Sequence, residues 1–539
     1  MKKSRLFGFF ALVLVSFMIV NSASACTIFG VGKEATADGS TIVTHTCDST
    51  SDDSRMWIIP RMKGGEGVKR DIVLNGNKYG DWSQYPEVKN YGGGSVIGEM
   101  DQPNDTYQYL HSNYSIINEH GLAMGESTFW IDSSTEYGKK IQSLIYDNND
   151  GLMDCYQVQH IALERAKTAK EAVEIIGGLV EKYGWNTEGE TINICDGNEV
   201  WIIEVYGRDL WAAVRIPENA FFVAANRARI DEFDFEDKDN YMCSANMKQF
   251  AIDNEIWKEN SGEPFKPAEF FAPNDQTYSS RREWRAFDLV APGLKLDSTA
   301  TRYPLYVIPE KKLSVNDVML LNSDYYAGTE YDLSKQPEAG PYGNVLNEFH
   351  KERPINLYRC TYQTIANVKG DLPDEAKCLV WFGYGAADTS YIVPLWASMT
   401  RLPALYSTGT RYTKFDRNSG WWINAYVQRT AESNYEKAVV DIHEARDSRL
   451  AQQYVVVNEL QKVASELIKE GKNDEAVELL TSYAYGNAVE WHEYWRDLGD
   501  ELYGKYMFGR INMERAPYPD WWKEILKNAP VRPDEDTNK

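Results

Sequence analysis

The sequence predicts an α+β protein with antiparallel sheets and a helical C-terminal extension, on the strength of three apolar patterns. From Glu190 onward, apolar and polar residues alternate between tight turns, which predicts successive strands. Four strands are expected, at 191–195, 199–205, 210–216 and 220–225. Residues 155–183 instead repeat apolar residues three and four positions apart, and their Ala-rich face predicts a helix packed closely on a sheet. Helical spacing returns over residues 434–510. Strands joined by tight turns pair antiparallel, so this arrangement needs no crossover helices.

The composition is that of a packed globular protein with an acidic surface. Aromatic residues make up 13% of the 539 residues, which argues against a disordered chain, and the length allows one large core with an extension or two domains. The formal net charge of −23 argues against nucleic acid or an anionic membrane as a partner, because phosphate contacts depend on clustered Lys and Arg. After residues 6–20, no apolar run approaches the roughly 18 residues of a membrane span. The sequence leaves a homo-oligomer open.

The first 25 residues have the pattern of a signal peptide. A basic start over residues 1–5 precedes the uncharged apolar run at 6–20, and Ala23-Ser24-Ala25 has the small-x-small pattern of a cleavage site. Cleavage after Ala25 would make Cys26 the first residue of an exported protein, either periplasmic or secreted.

Cys26 would then carry a thiol and a free α-amine on the same residue. The amine has an ordinary pKa of about 7.7–8.0, close enough to the thiol value of about 8.5 for the amine to accept the thiol proton near neutral pH. One residue would thus supply a nucleophile and its base. Two other interpretations stay open from the residues alone. Cys26 would be a disulfide cysteine, or the lipid-modified first residue of an exported binding protein anchored to a membrane.

Residues 27–46 predict a β-hairpin that begins next to Cys26. β-Branched and aromatic residues mark its two strands, and Asp38-Gly39 is a turn signal between them. A turn in this region would bring Cys26 opposite Cys47, with the Cα separation of about 4.5–5.5 Å that paired antiparallel residues have. A disulfide tolerates that separation. A Cys26–Cys47 bridge is therefore one expectation, and a free, packed Cys47 is the other.

The seven cysteines do not form a metal-site signature. They are scattered through the chain without any CxxC pair, at positions 26, 47, 155, 195, 243, 360 and 378. His45, beside Cys47, has no further ligand cluster around it in the sequence, so we expect no zinc site and no cofactor. If Cys26 is the nucleophile, the other six cysteines are even in number, and both three disulfides and several buried free thiols stay open.

Several polar residues elsewhere allow a structural or a functional interpretation. Asn226 follows an apolar strand, where a capping or turn role is favoured, although its amide is also able to donate to a developing oxyanion. Arg281, Arg282 and Arg285 lie close together and, by composition alone, indicate a solvated basic turn. His120 lies at a predicted turn between two strands, where a solvated imidazole is expected.

The segment that begins at Cys26 resembles the N-terminal signature of peptidase family C69. The matching residues are Cys26-Thr27, Gly32-Lys33, Ala37-Asp38-Gly39-Ser40 and Asp48, followed by an Asn-x-x-Gly-Leu-Ala-x-Gly-Glu motif over residues 118–126. The family usually has Arg where this chain has His45, a difference that does not touch the nucleophile. Weaker resemblance extends over 190–230 and 378–395.

The resemblance implies the four-layer αββα sandwich of N-terminal-nucleophile hydrolases, in which two antiparallel sheets pack face to face between helices. The hydrolase domain would span residues 26–430, and residues 431–539 would form the helical C-terminal extension.

The same resemblance implies an exported, metal-independent dipeptidase that uses Cys26 as its nucleophile and a small peptide as its substrate. The implied catalytic residues are Cys26, Asp48, Asn226 and Arg282, with Arg281 and Arg285 as alternatives to the last, and the implied substrate-binding residues are His45 and Asn118. Asp48 would orient the α-amine, and Asn226 would stabilise the oxyanion. A non-peptide amidase of the penicillin- or bile-acid-acylase type is the alternative with the same nucleophile.

Overall fold

The structure, a computed structural model, describes residues 26–50, 52–73, 96–147, 150–409, 411 and 413–529. The predicted signal peptide at 1–25 and the C-terminal segment 530–539 lie outside the described residues. The strands of the described part are β1 (Ile28–Val31), β2 (Thr41–Asp48), β3 (Trp57–Ile59), β4 (Lys69–Val73), β5 (Val96–Asp101), β6 (Tyr109–His111), β7 (Ser115–Asn118), β8 (Ala123–Phe129), β9 (Gly189–Cys195), β10 (Val200–Gly207), β11 (Leu210–Ile216), β12 (Phe221–Ala224), β13 (Tyr241–Cys243), β14 (Tyr306–Val307), β15 (Cys360–Val368), β16 (Leu379–Tyr384) and β17 (Val393–Trp396). Its α-helices are α1 (Glu136–Ile145), α2 (Cys155–Arg165), α3 (Ala169–Tyr183), α4 (Met247–Asp253), α5 (Pro267–Phe271), α6 (Thr277–Val290), α7 (Val315–Asn322), α8 (Asp374–Lys377), α9 (Gly420–Ala431), α10 (Tyr435–Lys469), α11 (Asn473–Tyr506) and α12 (Asp520–Asn528).

Two antiparallel sheets form the centre of the fold. The first has the strand order β14-β12-β1-β2-β15-β16-β17, and the second has the order β13-β11-β10-β9-β8-β7-β6-β3, while β4 and β5 form a separate ribbon. β1 and β2 of the first sheet contact β8 and β9 of the second. On the second sheet, α3 packs against β10 and β11, whereas α11 contacts β17 of the first sheet. The predicted mixed α/β class with antiparallel sheets and a helical C-terminal region is thus confirmed.

The predicted hairpin is present, and its register is the expected one. β1 and β2 pair antiparallel, and Thr27 and Thr46 form a bridge just beyond the end of β1. This register brings Cys26 opposite Cys47. All seven cysteines lie in the described residues and all are free thiols, so neither a Cys26–Cys47 bridge nor any other disulfide is present.

The expectation of a four-stranded meander is wrong in its last strand. β9, β10 and β11 pair in succession, but β12 leaves the second sheet and pairs with β1 in the first, with Ala224 opposite Ile28. The turn before β12 lies against the turn that follows β1. A Cβ atom on Gly32, the first residue after β1, would be 2.3 Å from the Glu218 carbonyl oxygen. Since β12 is apolar and buried on both faces, it fits the centre of a sheet. This change of sheet brings the residues after β12 next to Cys26.

The segment predicted as one helix over 155–183 is two helices, α2 and α3. Thr168 caps α3 by accepting a hydrogen bond from the Glu171 N–H, and the Glu171 side chain completes a capping box. The predicted close packing on a sheet is confirmed at Gly177, where a Cβ atom would be 2.3 Å from the ring of Trp211 in β11. The helix therefore approaches the second sheet as closely as a glycine allows.

The C-terminal residues form long helices, as predicted. Trp491 of α11 stacks on Tyr391 with ring centroids 4.8 Å apart, and Gln453 of α10 donates a hydrogen bond to the Ile392 carbonyl at 2.9 Å. Both partners lie in the segment that leads into β17, so the two long helices are joined to the first sheet through aromatic and polar contacts. Among the described helices, none combines the length and the apolar character needed to cross a membrane.

Candidate active site

Cys26 lies immediately before β1 and is completely buried between the two sheets. Its thiol donates a hydrogen bond to Oε1 of Glu126 in β8 at 2.9 Å, and its carbonyl oxygen accepts one from Ser127 Oγ at 3.1 Å. Burial raises the pKa of the Cys26 thiol well above its ordinary value, and the negative charge of Glu126 raises it further. In this environment the thiol holds its proton firmly unless a base is placed beside it.

His45 of β2 shares the Glu126 oxygen with Cys26. His45 Nε2 is 3.0 Å from Glu126 Oε1, and both side chains are buried. Burial alone would raise the Glu126 pKa, but the hydrogen bond and charge of His45 outweigh burial and keep that pKa below its ordinary value. A Cβ atom on Gly125 would be 2.5 Å from the Thr44 carbonyl oxygen, so this glycine lets β8 approach β2 closely enough for the pair to form.

The expectation that His45 has no ligand cluster around it is wrong. One donor atom each from Cys26, His45 and Glu126 lie within 4.8 Å of one another. The three residues come from separate strands, which is why their spacing in the sequence is not that of a metal site. Glu126 ends the Asn-x-x-Gly-Leu-Ala-x-Gly-Glu motif by which the sequence resembles family C69, yet only the packing of β8 against β2 reveals its contact with the thiol.

Glu190 of β9 forms a second carboxyl group beside Glu126. Thr128 Oγ1 lies 3.4 Å from Glu126 Oε2 and 3.3 Å from Glu190 Oε2, and so links the two side chains. Burial raises the pKa of Glu190 well above its ordinary value, and the charge of Glu126 adds to this effect. Of the two carboxyl groups, the site therefore favours the negative charge on Glu126 over one on Glu190.

Asn226 and Arg282 meet at the backbone of Cys26. Asn226 follows β12 in a left-handed conformation with φ of 61°, and its Nδ2 donates to the Thr128 carbonyl at 2.7 Å. Arg282 Nη2 donates to Asn226 Oδ1 at 2.9 Å, and Arg282 Nη1 donates to the Cys26 carbonyl at 3.3 Å. Ser127 closes the group, since its Oγ also accepts the Asn226 backbone N–H at 2.8 Å.

The predicted solvated basic turn is instead the buried helix α6, which resolves the choice among the three arginines. Arg281 lies over the Tyr331 ring at 3.6 Å, and Arg285 forms a two-bond ion pair with Asp324 at 2.9 Å. Neither of these contacts involves Cys26, whereas Arg282 donates a hydrogen bond to the Cys26 carbonyl. The composition of the segment indicated that the three arginine side chains are exposed. It does not show which acidic and aromatic partners the fold brings to their guanidinium groups.

Asp48, the last residue of β2, is completely buried, and neither of its carboxylate oxygens accepts a hydrogen bond of ordinary geometry from the described residues. Burial raises its pKa to about 6, and the positive charges of Arg353, Arg359 and Arg282 oppose that shift. Asp48 directly follows Cys47, which the β1–β2 register brings opposite Cys26. The Asp48 charge in turn raises the pKa of the Cys26 thiol. Buried carboxylates are usually hydrogen-bonded, so Asp48 is expected to accept hydrogen bonds from a further donor.

Asn118 does not join this group of residues. Its Nδ2 donates to the carbonyls of Leu163 and Ala166, both at 2.8 Å, and its Oδ1 accepts the N–H groups of the following turn. The turn residue His120 is also different from the solvated imidazole that was predicted. It is buried, and its Nδ1 lies 2.6 Å from Asp374 Oδ2. Both side chains stabilise the β7–β8 turn.

A cavity of about 570 Å³ opens beyond the end of β2. Thr50, two residues after Asp48, forms part of its wall together with Cys360, which pairs with Asp48 across β2 and β15. The remaining wall combines guanidinium groups with aromatic rings, from Arg359, Arg411, Arg429, Tyr358, Trp421 and Trp422. Such a wall suits a small ligand that carries both a negative charge and apolar surface.

Comparison with known proteins adds a family match and several enzymes of related sequence. The family model of peptidase family C69 matches residues 25–448. The chain is 27% identical over 428 residues to a probable dipeptidase B of Lactococcus lactis, covering 76% of this chain and 82% of that protein. It is 27% identical over 444 residues to a dipeptidase of Bifidobacterium longum, covering 75% and 76% of the two chains. It is 24% identical over 486 residues to dipeptidase A of Lactobacillus helveticus, covering 86% of this chain and 94% of that protein.

Proposed function

Because the chain belongs to peptidase family C69, we propose that it is a dipeptidase whose nucleophile is the Cys26 thiol, freed as the N-terminal residue. The related proteins of L. lactis and B. longum carry the name dipeptidase, which supports a small peptide as the substrate. The observation that carries the proposal is the convergence of Asn226, Arg282 and Asp48 on the buried residue that directly follows the predicted cleavage site.

The proposal includes removal of residues 1–25 during export. Ala23-Ser24-Ala25 supports cleavage before Cys26, and the family match begins at residue 25. Cleavage replaces an amide nitrogen, which has no basic lone pair, with an amine of ordinary pKa about 7.7–8.0. Only this product has a base on the nucleophilic residue itself.

The unpartnered Asp48 carboxylate supports a role in holding this amine. In the structure Asp48 is buried without a hydrogen bond of ordinary geometry from the described residues, and it lies near enough to Cys26 to affect the thiol pKa. The free α-amine would supply a donor to this carboxylate, and the Asp48 charge would stabilise the ammonium that forms when the amine accepts the thiol proton. Asp48 is accordingly a positioning residue, which orients the amine toward the thiol.

The first chemical step is attack of sulfur on the scissile carbonyl carbon. The α-amine accepts the thiol proton, the sulfur–carbon bond forms, and the carbonyl electron pair moves to oxygen. The Asn226 amide and a backbone N–H stabilise this oxyanion. Glu126 is poorly suited as the base, because its pKa lies below the ordinary value whereas that of the thiol lies far above it.

Three proton transfers complete the cycle. The protonated amine gives its proton to the leaving nitrogen as the carbon–nitrogen bond breaks, which leaves a thioester on Cys26 and releases one amino acid. Water then attacks the thioester, with the amine accepting a water proton and returning it to the departing sulfur. The second amino acid leaves with a free carboxylate, and the thiol is restored.

The cavity beyond β2 is proposed to receive the C-terminal residue of the dipeptide. Arg359 and Arg411 line it and would bind the terminal carboxylate of the substrate, while Trp421 would contact its side chain. A longer peptide has no carboxylate at this position, so the same contacts would favour dipeptides. The fold proposed with this chemistry is the four-layer αββα sandwich of N-terminal-nucleophile hydrolases, which the two facing sheets and the helices on each of them support.

The test compares a protein that begins at Cys26 with one that begins Met-Cys26 and keeps its Met, as verified by intact mass. We expect the first to hydrolyse a panel of dipeptides in the presence of chelator, and the second to be slower by about 10²–10⁴-fold because its base is an amide. C-terminally amidated dipeptides should be poor substrates.

Two matched controls accompany the test. Cys26→Ser should lose activity, whereas Cys378→Ser, at another buried free thiol, should keep it. Equal activity of the protein that begins at Cys26 and the protein that begins Met-Cys26 would refute the N-terminal-nucleophile mechanism. Hydrolysis of acylated amides with no turnover of dipeptides would refute the substrate class. The intact mass of the protein secreted by its host distinguishes a free N-terminal cysteine from a diacylated one.

A further inference from the structure

The active-site cluster contains three side chains of the types that bind zinc. Cys26 Sγ is 2.9 Å and His45 Nε2 is 3.0 Å from the same oxygen of Glu126, and all three donor atoms lie within 4.8 Å of one another. Ligands of a tetrahedral zinc ion are about 3.3–3.6 Å apart, as follows from metal–ligand distances of about 2.0–2.3 Å. Small side-chain rotations would therefore open the cluster enough to admit one ion.

The N-terminal position of Cys26 would add a fourth donor. A cysteine with a free α-amine binds a metal through sulfur and nitrogen together, in a five-membered chelate ring. We propose that the thiol and α-amine of Cys26, the His45 imidazole and the Glu126 carboxylate bind one zinc-class divalent cation, which reversibly inhibits the enzyme. This inference rests on the release of Cys26 as the N-terminal residue that the proposed function requires.

The donor set selects the class of metal. Thiolate and imidazole favour Zn²⁺ and related transition metals, whereas Mg²⁺ and Ca²⁺ prefer sets composed of oxygen. His45 supplies the imidazole of this set, and its Nε2 is 3.0 Å from Glu126 Oε1. The neutral imidazole has a lone pair that it can offer to a metal.

Binding of the ion and catalysis exclude each other at this site. The metal replaces the proton of the Cys26 thiol and takes up the lone pairs of both sulfur and nitrogen, so neither the nucleophile nor its base is available. The displaced protons pass to solvent, and the affinity for the metal therefore increases as the pH rises. A chelator removes the ion and returns the free thiol and amine, so the inhibition is reversible.

The test titrates the purified protein that begins at Cys26 with Co²⁺ and follows the visible and near-ultraviolet bands of four-coordinate, thiolate-bound cobalt. We expect one equivalent to bind and one equivalent of Zn²⁺ to displace it. His45→Ala and the Met-Cys26 protein should each bind at least about tenfold more weakly, because each lacks one donor. Cys26→Ser should lose the thiolate band.

His120→Ala is the matched control, because His120 is another buried imidazole beside a carboxylate, that of Asp374. It should bind Co²⁺ as the unaltered protein does. The absence of a thiolate band at one equivalent, or equal affinity in His45→Ala and His120→Ala, would overturn the inference. The cobalt titration is independent of dipeptide turnover. A protein that hydrolyses no dipeptide when it is free of metal, but shows the cobalt bands on titration, would refute the proposed function alone. A metal-free protein that is active but shows no cobalt bands would refute the metal site alone.

Discussion

The Cys26 thiol donates its hydrogen bond to Glu126 Oε1 at 2.9 Å and thereby joins the start of β1 in the first sheet to β8 in the second. The position of the thiol thus depends on how the two sheets pack and not on one strand alone. Because His45 binds the same oxygen, the negative charge beside the thiol is held in one place.

Glu126→Gln should lower the pKa of the Cys26 thiol. The variant keeps the side-chain shape but removes a negative charge that raises this pKa, so thiol alkylation should begin at a lower pH. Glu190→Gln is the matched control, because burial and the charge of Glu126 already disfavour the charged form of Glu190, and its replacement therefore removes less charge. An unchanged alkylation profile in Glu126→Gln, or an equal shift in both variants, would contradict this account of the thiol.

Asp48→Asn should lower turnover by about 10²-fold or more, since the α-amine loses the group that orients it. KM should change much less, because Asp48 is not proposed to contact the substrate. The measurement is kcat for a good dipeptide, normalised to the folded fraction from circular dichroism and accompanied by thermal unfolding. A variant that unfolds readily while its folded fraction keeps normal turnover would show that Asp48 is only structural.

The raised pKa of Asp48 predicts a pH-dependent stability for protein that keeps residues ahead of Cys26. With a pKa of about 6 in the folded state and the ordinary value near 3.8 in the unfolded state, the folded protein binds this proton more tightly. The protonated Asp48 side chain therefore contributes to the stability of the folded protein. This contribution is fully present below about pH 4 and is lost as the pH rises through about 6, a change of about 3 kcal/mol in the free energy of unfolding.

Urea unfolding of wild type and Asp48→Asn at pH 4 and pH 7 measures this effect, because the variant lacks the titrating group. The stability of wild type relative to the variant should fall across this range. After removal of residues 1–25, the α-ammonium should lower the Asp48 pKa and reduce the effect. Parallel pH curves for wild type and variant, both with residues ahead of Cys26, would rule out the raised pKa.

Ser127→Ala should disturb catalysis through the contact between Cys26 and Asn226. The Ser127 hydroxyl donates to the Cys26 carbonyl and accepts the Asn226 N–H, so its loss leaves two buried polar groups without that partner, at a cost of about 1–3 kcal/mol in stability. We expect kcat to fall more than KM changes. Ser279→Ala, which removes one contact to the Asn226 carbonyl but none to Cys26, is the control. Equal kcat values in the two variants would refute this role for Ser127.

Local patterns in the sequence were sufficient for the hairpin and its register. The Asp38-Gly39 turn fixes which residues of β1 and β2 face each other, and this register brings Cys26 opposite Cys47 as predicted. The end of α2 also had a signal that was missed, since Thr168 and Glu171 are spaced as a capping box. These features depend on residues close together in the chain.

Contacts between distant segments were not predictable in the same way. Alternation of apolar residues indicates that 221–224 is a strand but not which strand pairs with it, so the move of β12 to the first sheet was missed. Glu126 was overlooked for the same reason, because its contact with the thiol depends on the packing of β8 against β2. The resemblance to family C69 indicated Asn226 and Arg282, but the buried position of α6 was needed to separate Arg282 from Arg281 and Arg285.

The pairing of β1 with β12 also constrains the order in which the protein folds. β1 is an interior strand, between β12 and β2, although it begins only two residues after Cys26. Its partner Ala224 is almost two hundred residues away from Ile28, so one side of β1 remains an open edge until that much of the chain has been made. Pairings this distant in sequence form slowly. The backbone that holds Cys26, Asn226 and Arg282 together therefore cannot be completed before β12 and α6 have been made, and a shortened chain that ends before β12 would carry the thiol on an exposed strand.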